Sequence, residues 1–254
     1  MSGQITRRKV LVAASIGAVG LTGALTLRGG RIGDDFLRAS EQLTLRTQRI
    51  LLRRRPLARE FSARDVSPVF PVNGTGMPAG AAYHDLVASG FSNWRLKVDG
   101  LVKHPVSLSL AQLALLESRT QTTMHCCDEG WNAIATWTGV PLSRVLALAE
   151  PLTRAAYVVF HCLDKKEEDS QHYYESIDLF DAYHPQTILA YRMNGRPLPI
   201  QYGAPLRLRI ETQIGYKNAK YIERIQLVDR LDAFGKGRGG WWEDFDNAVW
   251  YAGQ

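Results

Sequence analysis

Cys126, Cys127 and Cys162 are the chain's three thiols, and two of them sit side by side in His125-Cys126-Cys127-Asp128-Glu129-Gly130-Trp131. So few cysteines, and an odd number, do not make a disulfide framework. No CxxC is present, and His125, His161 and His172 are not spaced as a zinc site. A Cys126–Cys127 disulfide would be strained, because adjacent residues hold their Cβ atoms badly for that bond. Two roles stay open: a cysteine packed as a small apolar side chain, or a soft thiolate ligand to a thiophilic metal. A second cluster is basic. Arg207 closes Tyr202-Gly203-Ala204-Pro205-Leu206-Arg207, and two ammonium groups follow in Gly215-Tyr216-Lys217-Asn218-Ala219-Lys220. Such an arginine is either a strand-end partner for a surface acid or a permanently charged seat for a phosphate. The glycines nearby do not form a nucleotide-type phosphate loop.

With Trp137-Thr138-Gly139-Val140-Pro141-Leu142 downstream, the cysteine run resembles the segment carrying the molybdenum-ligating cysteine of the sulfite oxidase superfamily. It is similar to the bacterial branch that includes the periplasmic methionine sulfoxide reductase catalytic subunit. In that branch Glu and Trp follow the ligand at its second and fourth positions, so Glu129 and Trp131 make Cys127 the ligand and Cys126 its neighbour. The basic run resembles the family's pterin-binding segment. The resemblance implies a molybdenum cofactor, Mo-molybdopterin, with Arg207 on the pterin's terminal phosphate. Asn218, Ala219 and the Lys217 or Lys220 ammonium would add phosphate contacts. Further cofactor contacts are implied at His125, at Asn73 and Thr75 in Asn73-Gly74-Thr75, at Tyr202 (where the family has His or Asn) and at Cys162 (where the reductase branch has Thr). Tyr183-His184-Pro185, Asn194-Gly195 and Trp241-Trp242-Glu243-Asp244 fit the same pattern, so the likeness spans roughly 65–252.

The elements that must position these groups are short. Trp94, Leu96 and Val98 alternate and meet Asp99-Gly100, a strand and a turn. Leu110 to Leu116 reads as a helix, and Thr120 to Met124 is threonine-rich and extended, leading straight into His125. Pro141 suits the first turn of a helix through Ala149. Tyr157 to Phe160 reads as a buried strand, Asp178 as the cap of a helix toward Ala182, and Asn194-Gly195 as a hairpin turn. Leu206, Leu208 and Ile210 alternate along another strand. Without a regular βαβ rhythm this mixture predicts an α+β domain with a mixed sheet, one sulfite-oxidase-type molybdopterin-binding domain over 61–254.

Ahead of it, Arg7-Arg8-Lys9 precedes an uncharged stretch from Val10 to Leu27 and resembles a twin-arginine export signal over 1–30, cleaved or kept as an anchor. Residues 31–60 read as a basic amphipathic helical arm, lying on a membrane or partner, or packed on the domain with a solvated basic face. The net charge of +6 belongs to this front end, since the chain from residue 61 onward is net −2. A nucleic-acid binder carries its basic surface on the folded domain, so no nucleic-acid partner is expected.

These readings combine into a periplasmic oxidoreductase that transfers an oxygen atom to or from a small molecule. Sulfite oxidases place arginines just after the ligand cysteine; Asp128 and Glu129 stand there instead and would repel an oxyanion. A neutral or cationic substrate, a sulfoxide or an N-oxide, is the expectation. No haem-attaching CxxCH occurs, so electrons would pass through a separate partner, a membrane haem or quinone-linked protein. The alternatives are a sulfite-oxidising enzyme of the same fold and a non-catalytic exported binding module.

Overall fold

The computed structural model describes residues 31–54, 56–165, 171–246 and 248–253, with the side chains of 31–38 left aside. The expected signal over 1–30 lies outside the described residues. The chain divides into two compact units, one ending at residue 55 and the other beginning at residue 56. In the first, helix α1 spans Arg31–Leu51, beginning three residues before Asp34. Thr44 and Thr47 donate their hydroxyls to the carbonyls of Ser40 and Leu43, four residues back, which lets them stay in a helix interior. Leu43, Ile50 and Leu51 are exposed. No helix among the described residues is long and apolar enough to cross a membrane.

The second unit runs from Pro56 to Gln254. Pro56 to Glu60, read from sequence as the end of the arm, are bonded into it. Ala58 N–H donates to Gln186 Oε1 at 2.7 Å, the Gln186 amide donates back to Ala58 O, and Glu60 forms an isolated bridge with Thr123. The helices of this unit are α2 (Ala81–Ala88), α3 (Leu110–Leu115), α4 (Leu142–Ala149), α5 (Leu179–Ala182) and α6 (Trp241–Phe245). Its strands are β1 (Leu96–Gly100), β2 (Val106–Leu108), β3 (Arg119–Cys126), β4 (Asn132–Pro141) and β5 (Tyr157–Lys165). They continue as β6 (His172–Asp178), β7 (Ile188–Met193), β8 (Arg196–Pro197), β9 (Arg207–Arg209) and β10 (Ile222–Val228).

Local chemistry accounts for many of these boundaries. Ser109 and Gln112 form a reciprocal capping box that starts α3. Pro141 caps α4, which buries Leu142, Val145, Leu146 and Ala149, an i, i+3, i+4, i+7 stripe, and ends at Glu150 in a left-handed conformation. Asp178 accepts from Asp181 N–H at the start of α5. Asn194 and Gly195, both at positive φ, turn β7 into β8.

One sheet has the order β2-β1-β10-β5-β6 and is mixed, because β1 runs parallel to β10 while its other pairs are antiparallel. The other is antiparallel, β3-β4-β7-β8, with β9 also on β7. The expected α+β architecture with a mixed sheet is what the chain adopts. The main core lies against the mixed sheet and holds Leu96, Val98, Val158, Phe160, Ile225 and Leu227 with α4. A smaller core lies on the antiparallel sheet around Phe70, Trp137, Ile188 and Leu198. Each fully buried aliphatic side chain contributes roughly 1.5–3 kcal/mol.

The antiparallel sheet explains the threonine-rich run. Thr120 and Thr122 hydrogen-bond to Thr138 and Thr136 across β3–β4, both at 2.8 Å, while Gln121, Thr123 and His125 alternate to the buried face. Gly139 lies where the β4–β7 register shifts. A Cβ there would lie 2.2 Å from Leu189 O and 2.6 Å from Ala190 Cα, both immobile backbone. Gly139→Ala should therefore cost at least about 3 kcal/mol, read as a fall in urea midpoint or as insoluble protein.

Candidate active site

β3 delivers His125 and Cys126, and the chain then turns through Cys127-Asp128-Glu129-Gly130-Trp131 before re-entering as β4. Backbone bonds define this loop: Cys127 N–H donates to Trp131 O at 2.9 Å, and Gly130 N–H to Cys127 O at 3.1 Å. Gly130 turns at φ 89°, a conformation that favours glycine. Trp131 Nε1 donates to Glu129 Oε2 at 2.9 Å, which holds the Glu129 carboxylate in place. Cys127 is nearly buried, its thiol 3.6 Å from Asp128 Oδ1. Burial pushes the Cys127 thiol up to about 11, the carboxylates of Asp128 and Glu129 adding to the rise and the Glu129 N–H opposing it. A thiolate at this position needs a cation beside it.

The Gly215–Lys217 turn packs directly on this loop. A Cβ on Gly215 would lie 3.1 Å from His125 Nε2 and 3.2 Å from Cys127 Cα. His125 accepts at Nδ1 from Arg209 at 2.7 Å, so its proton sits on Nε2. Burial, then Arg209, Arg207 and Lys220, hold its pKa well below the usual value, so the ring is neutral. His125 Nε2 is buried and has no hydrogen-bond partner among the described residues.

Alternation along β9 places Leu206, Leu208 and Ile210 in the main core and turns Arg207 and Arg209 the other way, onto the Trp137 ring at 4.9 and 4.7 Å. Arg209 is neutralised by a bidentate pair with Glu211. Among the described residues Arg207 has only carbonyl acceptors, Tyr202 O at 3.0 Å, Asn218 O at 3.3 Å and Leu208 O at 3.5 Å, and is almost wholly buried. Burial and Arg209 lower its pKa to about 9, with Glu211 and Tyr221 opposing.

A cleft of about 500 Å³ opens beside the cysteine loop. Asn73, Gly74 and Thr75 form one wall, Gly215, Tyr216 and Asn218 another. Three acids, Asp128, Glu129 and Asp164, also face it, with Tyr173 and Trp242. Asn218 is rigid: its Oδ1 accepts from Ile210 N–H and its Nδ2 donates to Ile214 O. Ala219 is buried and its carbonyl accepts from Leu208 N–H. Lys220 lines the cleft, with its ammonium donating to the carbonyls of Asn73, Thr75 and Gln201. It straps the 73–75 wall to β9's neighbourhood.

The structure thus brings together Cys127, His125, Asn73, Thr75, Arg207, Asn218, Ala219 and Lys220. The other three candidates, Lys217, Tyr202 and Cys162, are engaged by the protein itself. Lys217 is fully buried between Glu175 and Glu243, which hold its charge, so of the two candidate ammonium groups it is Lys220 that lines the cleft. Tyr202 donates its hydroxyl to Phe70 O at 2.7 Å, a bond that anchors the segment leading to Asn73. Cys162 is buried in β5 within the main core, where its carbonyl meets His172 Nδ1 at 3.0 Å. Sequence reasoning passed over Asp164, Tyr173, Tyr216 and Arg209. Only Arg209 left a signal, standing two residues from Arg207 on the same strand face.

Residues 84–233 match the family model "Oxidoreductase molybdopterin binding domain", more than half of the chain. The chain belongs to this family. Over 197 residues it is 36% identical to the "Putative protein-methionine-sulfoxide reductase subunit YedZ1" of Azospira oryzae, covering 76% of this chain and 70% of that protein. Over 149 residues it is 38% identical to the "Protein-methionine-sulfoxide reductase catalytic subunit MsrP" of Xanthomonas campestris pv. campestris, covering 55% of this chain and 46% of that protein. The chain thus spans under half the length of the Xanthomonas relative. Among solved structures, the sulfane dehydrogenase SoxCD from Paracoccus pantotrophus shares the fold, with a TM-score of 0.50 at 21% identity over 59% of this chain and 45% of that one.

The residues of this molybdopterin-binding oxidoreductase fit its cofactor on their own chemistry. Cys127 is a soft donor on the loop whose next two residues, Asp128 and Glu129, line the cleft. His125 Nε2 is an orphaned buried donor within reach of the same loop. Arg207 is a buried cation whose partners are all neutral carbonyls, as an anionic phosphate requires. Family membership sets the non-catalytic binding module aside.

Proposed function

We propose that this oxidoreductase reduces a neutral sulfoxide by oxygen-atom transfer, with Cys127 as the protein's ligand to molybdenum. The overall change is R2SO + 2H⁺ + 2e⁻ → R2S + H2O. The bound cofactor would supply two-electron oxygen-atom chemistry. Cys127 would hold it in the loop between β3 and β4, His125 would donate to it through Nε2, and Arg207 with the rigid Asn218–Ala219 backbone would receive its phosphate. The single observation that favours a sulfoxide over an oxyanion is the acidic wall: Asp128, Glu129 and Asp164 all face the cleft. Like charge in a partly desolvated cleft repels sulfite and leaves a neutral S=O group unpenalised.

The relatives from Azospira and Xanthomonas, named for methionine sulfoxide reduction, support the same substrate class. Arg7-Arg8 and the uncharged stretch behind them support twin-arginine export to the periplasm, with the segment kept or cleaved. Electrons would arrive from a separate membrane haem or quinone-linked subunit, to which the basic arm could bring the enzyme through anionic lipid.

The test compares a dialkyl sulfoxide, using a reduced viologen as electron donor, with sulfite, using an oxidised dye as acceptor. The cofactor-loaded enzyme should show kcat/KM at least about a hundredfold higher for the sulfoxide. In Asp128→Asn/Glu129→Gln the sulfite value should rise roughly tenfold, about 1.4 kcal/mol, with the sulfoxide value little changed. Efficient sulfite turnover by the wild type at neutral pH would reverse the assignment and favour the sulfite-oxidising reading.

A further inference from the structure

A buried ionic cluster lies behind the cleft and takes no part in the reaction above. Lys217 Nζ contacts Glu243 Oε1 at 2.6 Å and also Glu175 Oε1, and all three side chains are 0% exposed. Three full charges in the interior would be costly. Burial and Glu243 push the Glu175 carboxyl well above its usual range, against the pull of Lys217. Burial disfavours the charge on Lys217, but the two carboxylates more than offset it. Gly240 lets the tail backbone pass close by, since a Cβ there would lie 2.1 Å from Glu243 Oε2 and 2.6 Å from Glu175 Oε1.

The cluster joins three elements. Glu175 is on β6, Glu243 on α6, and Lys217 ends the turn whose first residue, Gly215, rests on the Cys127 loop. Tyr216, between them, is held at both ends: its carbonyl accepts from Tyr173 OH at 2.7 Å and its hydroxyl donates to Val249 O at 2.6 Å. Trp242, the neighbour of Glu243, lines the cleft. The ionic lock is therefore two residues from the contact with the ligand loop.

We propose that Lys217, Glu175 and Glu243 are positioning residues for Cys127, locking Gly215 against the ligand loop and making the C-terminal helix α6 a required part of the metal site. This rests on the assignment of Cys127 as the ligand. The lock acts through shape: the loop's own backbone bonds, Cys127 N–H to Trp131 O and Gly130 N–H to Cys127 O, are backed by the turn pressed onto it. Outer groups that orient a ligand change metal affinity or activity by about 10–100-fold when removed.

Glu243→Ala unhooks α6 yet leaves Lys217 paired with Glu175, so it should fold; Lys217→Met breaks the lock entirely, and Lys217→Arg restores a cation. Hydrogen exchange in the cofactor-free protein reads the loop directly. In Glu243→Ala the amides of Cys127 and Gly130 should exchange roughly tenfold faster, with β1 and β10 unchanged. In the loaded enzyme the Mo(V) electron paramagnetic resonance spectrum should shift in Glu243→Ala, shift further in Lys217→Met, and return toward wild type in Lys217→Arg. Unchanged loop exchange together with an unchanged Mo(V) spectrum in Glu243→Ala would overturn the proposal, whether or not Lys217→Met folds. A wild type lacking molybdenum, with loop exchange still raised in Glu243→Ala, would sink the cofactor assignment and leave the mechanical coupling standing.

Discussion

Cys127→Ser should lower sulfoxide turnover by roughly three orders of magnitude, about 4 kcal/mol of transition-state stabilisation, while the protein stays folded. The loop's shape does not depend on the sulfur, because Cys127 N–H to Trp131 O and Gly130 N–H to Cys127 O are backbone bonds. Serine has nearly the same volume and tolerates the same partly buried setting. It lacks the soft, readily deprotonated donor that a thiophilic metal requires. Melting temperature should therefore move by no more than about 4 °C, the shift roughly 1 kcal/mol produces in a domain of this size. Steady-state kinetics and thermal melts on the same preparations check both halves. Turnover within tenfold of wild type would show that Cys127 does not ligate the reacting centre.

Arg207→Met should reduce cofactor retention by roughly a hundredfold, about 2.7 kcal/mol, with a much smaller change in the stability of the cofactor-free protein. Two opposing effects explain the asymmetry. Removing the guanidinium deprives the carbonyls of Tyr202 and Asn218 of a donor, at about 1 kcal/mol each. It also removes a buried charge that stands beside Arg209 and shares Glu211 with it, which offsets much of that loss. The anion, by contrast, loses its one fully buried cationic partner. Arg207→Lys should not rescue, because an ammonium lacks the flat fork that spans two oxygens and cannot stack on Trp137 in the same way. The measurements are pterin and molybdenum per mole after dialysis, and urea unfolding of the cofactor-free forms. Full retention in Arg207→Met would place the phosphate elsewhere.

What the sequence disclosed was local. The alternation of Leu206, Leu208 and Ile210 announced the strand on which Arg207 stands, and Thr120 to Met124 announced the extended run that leads into His125. Asn194-Gly195, Asp178 and Pro141 marked their turn, cap and helix start because each acts on neighbours within a few residues. The missing parts depend on distant partners. Lys217 and Lys220 look interchangeable in a row of six residues. One is claimed by Glu175 and Glu243, 42 and 26 residues away, and the other by the carbonyls of Asn73 and Thr75. The Tyr202 hydroxyl meets Phe70, separated by 132 residues. The parallel pairing of β1 with β10 joins Lys97 to Arg224, a contact no short-range pattern announces. Asp164 and Tyr173 reach the cleft from adjacent strands β5 and β6 of the mixed sheet, and nothing in their flanking residues distinguishes them from core positions.

Molybdenum K-edge X-ray absorption on wild type and Cys127→Ser, both expressed with an intact pterin pathway, tests the assignment of Cys127 most directly. The edge height reports the metal, and the fine structure counts its sulfur neighbours. The account predicts near-stoichiometric molybdenum in the wild type and one sulfur fewer in Cys127→Ser. An equal sulfur count in the two proteins, or a wild type without molybdenum from cells that load a control enzyme, would contradict it.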